Sequence, residues 1–278
     1  SSTTSWILAS TTMTKPFFMR DDQSLSLNAA LKREDTDAYD SYALESGFAI
    51  KRSITGSFSA LAGADIEFTH IKEDNGDSDD YALLTPQAAL AYDTRDDTLD
   101  PHKGALLKFS VEPTFDIIGT SDPYVTTQAS AQSYYEAHER IVFAGRMNLG
   151  TIIGASTLDL PASERFYAGG GGSVRGFGYQ EIGPFENGNP IGGRSLFETS
   201  LELRFKATEK LGAVAFFDAG QVDDEVTPAF DDLAIGAGAG LRYYTDFGPL
   251  RLDVGVPLRG DENNDQNFQI YISIGQAF

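Results

Sequence analysis

The most regular feature of this chain is an alternation of apolar and polar residues with a period of two. In residues 104–116, Ala105, Leu107, Phe109, Val111, Pro113 and Phe115 lie on one face of an extended chain, and Lys108, Ser110, Glu112 and Thr114 lie on the other, because successive strand side chains point to opposite sides. The split recurs as Leu25, Leu27, Ala29 and Leu31 against Ser24, Ser26, Asn28 and Lys32, and as Leu201, Leu203 and Phe205 against Glu202, Arg204 and Lys206. It returns with Leu250, Leu252, Val254 and Val256 against Arg251, Asp253 and Gly255. The pattern predicts about 13 strands, over residues 3–13, 23–33, 39–52, 55–72, 81–93, 104–116, 124–138, 140–153, 195–206, 210–221, 233–245, 249–258 and 267–278.

A soluble sandwich or lipocalin-like barrel alternates too, with its polar face in water. Two features favour an all-β, transmembrane antiparallel barrel. The predicted strands run to roughly 10–15 residues, longer than the usual five or six, and charges sit in mid-strand on the polar face, as a water-filled or plugged lumen permits. The connections also differ in kind: those near Lys51, Glu139, Thr208 and Phe247 are tight, whereas those at 72–80, 154–194, 222–232 and 259–266 are long and mostly acidic or Gly-rich. Short turns on one side and long loops on the other is the bacterial outer-membrane arrangement. A closed single-chain barrel of that kind has an even strand count, so an odd count implies at least one strand missing upstream and an open edge over Ser5 to Met13.

Composition sharpens this picture in a few places. No segment reaches the roughly 20 consecutive apolar residues of a membrane-spanning helix. The mean hydropathy of -0.24 does not argue against a membrane barrel, since only alternate strand residues face lipid. The formal net charge of -20 argues strongly against nucleic acid, since a phosphate-binding surface needs a surplus of Lys and Arg. Acidic runs at 73–80, at Asp223 and near Asp261 read as solvated loop tips; a calcium loop over Asp74 to Asp80 fails for want of the Glu expected late in such loops. No cysteine is present, and no metal or cofactor is expected. Residues 1–10 lack a charged leader and apolar core, so a mature protein or a fragment of one is expected. The histidines, His70, His102 and His138, fall near different strand ends, which argues against an enzyme.

Residues 154–194 are too long for a hairpin loop and mark a functional or plugging segment. The glycines at 169–172 are not a phosphate loop, because no Lys-Ser/Thr follows them. Within this stretch FYAGGGGSVRGFGYQEIGP resembles the signature loop of the superfamily of outer-membrane assembly factors and transporters, with its core at Val174, Arg175, Gly176 and Phe177. Upstream KPFFMRDDQSLSL and LAYDTRDDTLDPHKG, and downstream ETSLELRF, FFDAGQV, GAGLRYYTDFGPLRLDVGVPL and IYISIGQAF, are similar to the same superfamily, most of all to its TamA-type barrels.

The resemblance implies a barrel of about 16 strands, with the first strands and the preceding periplasmic POTRA domains outside this sequence. It implies a lumen loop over 154–194 whose Arg175 contacts acidic wall residues, at the matching positions Asp218 and Glu202. Both also fall on the polar faces of their strands. It further implies a C-terminal assembly signal at Tyr271, Gly275 and Phe278, with Phe278 sharing the apolar face of Phe268, Ile270, Ile272 and Ile274. The implied function is insertion or translocation of client proteins at the bacterial outer membrane without nucleotide. The implied surroundings are outer-membrane lipid and lipopolysaccharide, clients such as autotransporters, and an inner-membrane-anchored partner of the translocation and assembly module. A two-partner-type secretion pore and a passive porin are the rivals.

Overall fold

The computed structural model describes residues 5–73, 76, 78–245, 248–259 and 267–278. Its strands are β1 (Ser5–Pro16), β2 (Gln23–Asp35), β3 (Tyr39–Ser53), β4 (Phe58–Glu73), β5 (Ser78–Asp93), β6 (Gly104–Asp116), β7 (Tyr124–His138) and β8 (Ile141–Ile153). After the long loop, which carries a short hairpin β9 (Phe185–Glu186) and β10 (Asn189–Pro190), come β11 (Ser195–Lys206), β12 (Leu211–Asp223), β13 (Ala234–Thr245), β14 (Gly248–Arg259) and β15 (Gln269–Ile274).

Apart from the hairpin, the strands form one 13-stranded sheet in the order β1-β2-β3-β4-β5-β6-β7-β8-β11-β12-β13-β14-β15, antiparallel throughout. Among the described residues β1 pairs only with β2 and β15 only with β14, so the sheet is a barrel wall that does not close on itself. Register keeps one parity on each face: Leu201 lies opposite Phe217 and Gly145, while Glu202 lies opposite Phe216 and Ala144. A one-residue slip would turn every inward charge into lipid, which fixes the register strongly.

The alternation sorts the faces as period two requires. Leu107, Phe109, Leu201, Leu203, Leu252 and Val254 are exposed on the outer face, Ile272 reaches 82% and Ile274 72%, and Val111 is half-buried. An apolar belt of this kind belongs against acyl chains. The buried apolar residues lie inside the wall, and the long loop completes each group. Ala162 packs with Ala38, Tyr39, Ile71, Tyr81 and Leu83; Ala155 and Leu160 pack with Tyr124 and Ile152; and Ala168, Val174, Phe177 and Ile182 pack with Val222 and Ala234.

Two expectations need correction. The turn side is not uniformly tight, because residues 94–103 form a longer connection ordered by Asp97, whose carboxylate accepts from the Leu99 and Asp100 amides at 2.7 and 2.9 Å. The final strand also ends at Ile274 instead of running to 278. Gly275 follows at φ +96, a left-handed conformation that glycine adopts without strain and that breaks the extended run. The acidic run over Asp74 to Asp80, read as a solvated loop tip, lies partly outside the described residues.

Candidate functional site: a buried arginine in the barrel lumen

The site is built where the loop meets the inner faces of β11, β12 and β14. Gly176 holds φ +105, and a Cβ there would meet the backbone of Val256 at 2.8 Å. On the wall, a Cβ at Gly236 would meet the Arg175 carbonyl oxygen at 1.9 Å. Glycine on both partners lets two backbones approach, which a side chain on either would prevent.

That approach carries Arg175 to a residue exposure of 2%. Its backbone N–H donates to Asp218 Oδ2 at 3.0 Å, its Nε to the same oxygen at 2.7 Å and its Nη2 to Asp218 Oδ1 at 3.0 Å. Nη1 donates to Glu202 Oε1 at 2.7 Å and to Asp253 Oδ2 at 3.1 Å, and Nη2 to Ser200 Oγ at 3.1 Å. The guanidinium carbon stands 3.6 Å from the ring centre of Phe216. A planar, five-donor fork can serve three carboxylates and one ring at once; an ammonium cannot. The three carboxylate side chains are fully buried, so their charges depend on these partners.

A wider network surrounds it. Arg204 Nε donates to Glu202 Oε2 at 2.8 Å, and Arg242 pairs with Asp253. Arg251 Nη2 donates to the Gly171 carbonyl at 2.8 Å, and Arg146 to those of Gly172 and Ser173 at 2.8 and 3.0 Å, so wall arginines hold the glycine run by its carbonyls. Ser173 donates to Glu198 on β11. Val174 and Phe177 are buried in an apolar group. The Tyr271 hydroxyl, on β15, accepts from the Gly176 N–H at 2.9 Å and donates to the Phe177 carbonyl at 2.7 Å.

Phe278 is not on the lipid face. Past Gly275 the tail enters the lumen, where the Phe278 ring lies 6.3 Å from that of Tyr134 and 5.2 Å from the Arg204 guanidinium carbon, and its carbonyl accepts from Arg204 Nη2 at 3.2 Å. The motif and parity single out Arg175, Asp218 and Glu202, but they pass over Asp253, Ser200, Phe216 and the surrounding arginines. Asp253 carried a signal, as a carboxylate on the polar face of an alternating strand.

His70 Nδ1 lies 2.8 Å from Asp80 Oδ1, and its Nε2 lies 3.2 Å from Ser78 Oγ. These are cross-strand neighbours at the rim of β4 and β5, and the His70 and Asp80 side chains are 52% and 78% exposed. Water screens such a pair and removes the desolvation that activates a Ser-His-Asp relay. Among the described residues no group of three or more His, Asp or Glu is placed to hold a metal.

An antiparallel wall with an apolar outside and an interior loop held by a buried arginine defines an integral outer-membrane β-barrel protein. The chain belongs to the Omp85 superfamily, whose domain model matches residues 5–278. It is 31% identical over 194 residues, 67% of this chain and 24% of the relative, to the outer membrane protein assembly factor BamA of Nitratidesulfovibrio vulgaris. It is 28% identical over 115 residues, 41% of this chain and 24% of the relative, to the sorting and assembly machinery component 50 homolog of Homo sapiens. The chain thus spans about a quarter of the length of these relatives. In fold it resembles BamA from Haemophilus ducreyi lacking POTRA domains 1–3, with a TM-score of 0.82 and 17% identity over 95% of this chain and 61% of that one. CdiB from Acinetobacter baumannii follows the same fold, with a TM-score of 0.66 and 14% identity over 97% of this chain and 50% of that one. The class is one of assembly and transport proteins, not of enzymes.

Proposed function

We propose that this chain is the membrane wall of an assembly or translocation factor that inserts client proteins into the outer membrane without nucleotide. The observation that carries the reading is Arg175, shared among Asp218, Glu202 and Asp253. A lumen held by so many buried charge contacts is a braced interior, not an open conduit, and this leaves the lipid-facing wall as the working surface. Client strands that pair and turn apolar faces to lipid release free energy as they insert, so insertion draws on strand pairing and apolar burial and needs no nucleotide. A passive porin does not need a locked interior. A two-partner-type secretion pore remains the second reading, favoured only by the shared wall-and-loop architecture.

A TamA-type role within the superfamily rests on the sequence resemblance alone, as do autotransporter clients, lipopolysaccharide contact and an inner-membrane-anchored partner. The test is reconstitution of the full-length protein in vesicles of outer-membrane lipid, with an unfolded client barrel added and its folding followed by heat-modifiability. Faster client folding than in empty vesicles, together with small unsteady currents in a planar bilayer, is expected. Unaccelerated folding with large steady conductance would point to a pore and overturn the proposal.

A further inference from the structure

The loop carries another buried arginine, which meets the wall on a different strand from those that hold Arg175. Arg165 follows the 3-10 turn Ala162–Glu164, and its side chain is 1% exposed. Its Nη2 donates to Glu73 Oε1 at 2.6 Å and its Nη1 to Glu73 Oε2 at 3.4 Å. Its Nε and Nη2 both donate to the Leu160 carbonyl, at 3.0 and 2.8 Å, and its Nη1 to the Ile191 carbonyl at 3.1 Å. One guanidinium therefore joins the outgoing limb of the loop at 160, the returning limb at 191, and the rim of β4. Ala162, beside it, closes the apolar group of Tyr39, Ile71, Tyr81 and Leu83 from β3, β4 and β5. Tyr167 caps the turn, donating to the Ala162 carbonyl at 2.9 Å.

The two arginines grip different parts of the sheet. Arg175 holds β11, β12 and β14, whereas Arg165 holds β4, and β5 to β8 lie between these strands in the sheet order. We propose that Arg165 is a positioning residue acting as a second anchor through Glu73. It makes the loop a cross-brace that sets the separation of the β4 wall from the β12 wall at the long-loop end. The two anchors share no side chain, so each end of the brace releases without the other. Charge-assisted bonds from a buried guanidinium are strong and geometrically specific, and Lys, with three donors on a single nitrogen, cannot reach the carboxylate and both limb carbonyls together. The brace is independent of any assembly activity and shows itself in the position of the loop.

These 278 residues contain no cysteine, so once any cysteine elsewhere in the full-length protein is replaced by serine, single-cysteine reporters are unambiguous. Ala162→Cys reports the outer end of the loop and Val174→Cys the inner end; both positions are fully buried. Maleimide labelling is followed in the full-length folded protein, with Arg165→Lys and the milder Glu73→Gln as variants and heat-modifiability confirming that each has folded. Labelling at 162 should rise by about tenfold or more while labelling at 174 stays at its original rate, and Arg175→Lys should reverse the pattern. Spin labels at Lys72→Cys and Glu225→Cys should give a broader distance distribution in both Arg165→Lys and Glu73→Gln. Equal opening at 162 and 174 in every variant, unchanged labelling at 162, or an unchanged distance distribution would each overturn the two-anchor brace.

Discussion

Asp218 takes three hydrogen bonds from Arg175, one from its backbone N–H and two from its guanidinium, with the carboxylate fully buried. Glu202 and Asp253 each have a second arginine, Arg204 and Arg242 respectively. The ion pair of Asp218 is with Arg175, supplemented by the Ser200 hydroxyl at 2.6 Å. Arg175→Ala therefore leaves Asp218 most exposed to the penalty of a buried unpaired charge, about 3–5 kcal/mol. Chemical denaturation in detergent should show this loss, and Arg175→Ala combined with Asp218→Asn should recover a substantial part of it. Arg175→Lys should fall between wild type and Arg175→Ala; if it matched wild type, the fork geometry would be irrelevant.

Tyr271 ties the last strand to the loop core through Gly176 and Phe177. Tyr271→Phe removes both contacts and leaves the Gly176 N–H without that partner, at a cost of about 1–3 kcal/mol. Hydrogen exchange should quicken at residues 174–177 and along β15 together. Faster exchange in one segment alone would show that the tyrosine does not couple them.

Val254 faces outward in β14, between the inward Asp253 and Gly255. Val254→Arg puts a charge against acyl chains and should destabilise the barrel by roughly 2–4 kcal/mol near mid-bilayer. Val254→Ala, which keeps the surface apolar, should cost far less. Equal unfolding free energies for the two variants in lipid would contradict the outward facing.

Docking of the outer part of the loop should weaken as pH rises. Burial pushes the Glu164 carboxyl above the usual carboxylate range, while the Tyr124 hydroxyl and Lys32 oppose this and Glu112 and Glu45 on the wall add to it; Glu67 faces the same carboxyl. A carboxyl with a raised pKa binds its proton more tightly when docked than when free, so the docked state is favoured at low pH. That advantage is lost as pH climbs from the ordinary carboxylate value through the raised one. Labelling at Ala162→Cys should therefore increase with pH over that window, and Glu164→Gln should flatten the dependence. A profile unchanged by Glu164→Gln would assign the effect to another group.

The wall was legible because its signal is local. Leu107 and Phe109 face lipid and Lys108 and Ser110 face the lumen for reasons contained in residues 104–116 themselves, since pleating alone sends neighbours to opposite sides. Arg175, Asp218 and Glu202 could be singled out by motif and parity together. What parity cannot supply is the stagger between strands, and stagger decides that Ser200, across from Asp218 on the neighbouring strand, and Asp253, on β14, converge on one guanidinium. Phe278 departs from its expected face for a related reason: continuing the alternation past Ile274 keeps it on the lipid face, but Gly275 at φ +96 turns the tail inward to Tyr134 and Arg204.

The pairing of Arg165 with Glu73 lies furthest from the reach of sequence. Arg165 lies in the loop, outside any strand, Glu73 is the last residue of β4, and they are 92 positions apart in the chain. Alternation by itself determined that this protein builds a lipid-facing antiparallel wall, because each strand carries its own division into two faces. Which charges meet inside that wall, Arg175 with Asp218 and Arg165 with Glu73 among them, only the tertiary structure decided, because a buried ion pair depends on how the wall curves and how the loop crosses it.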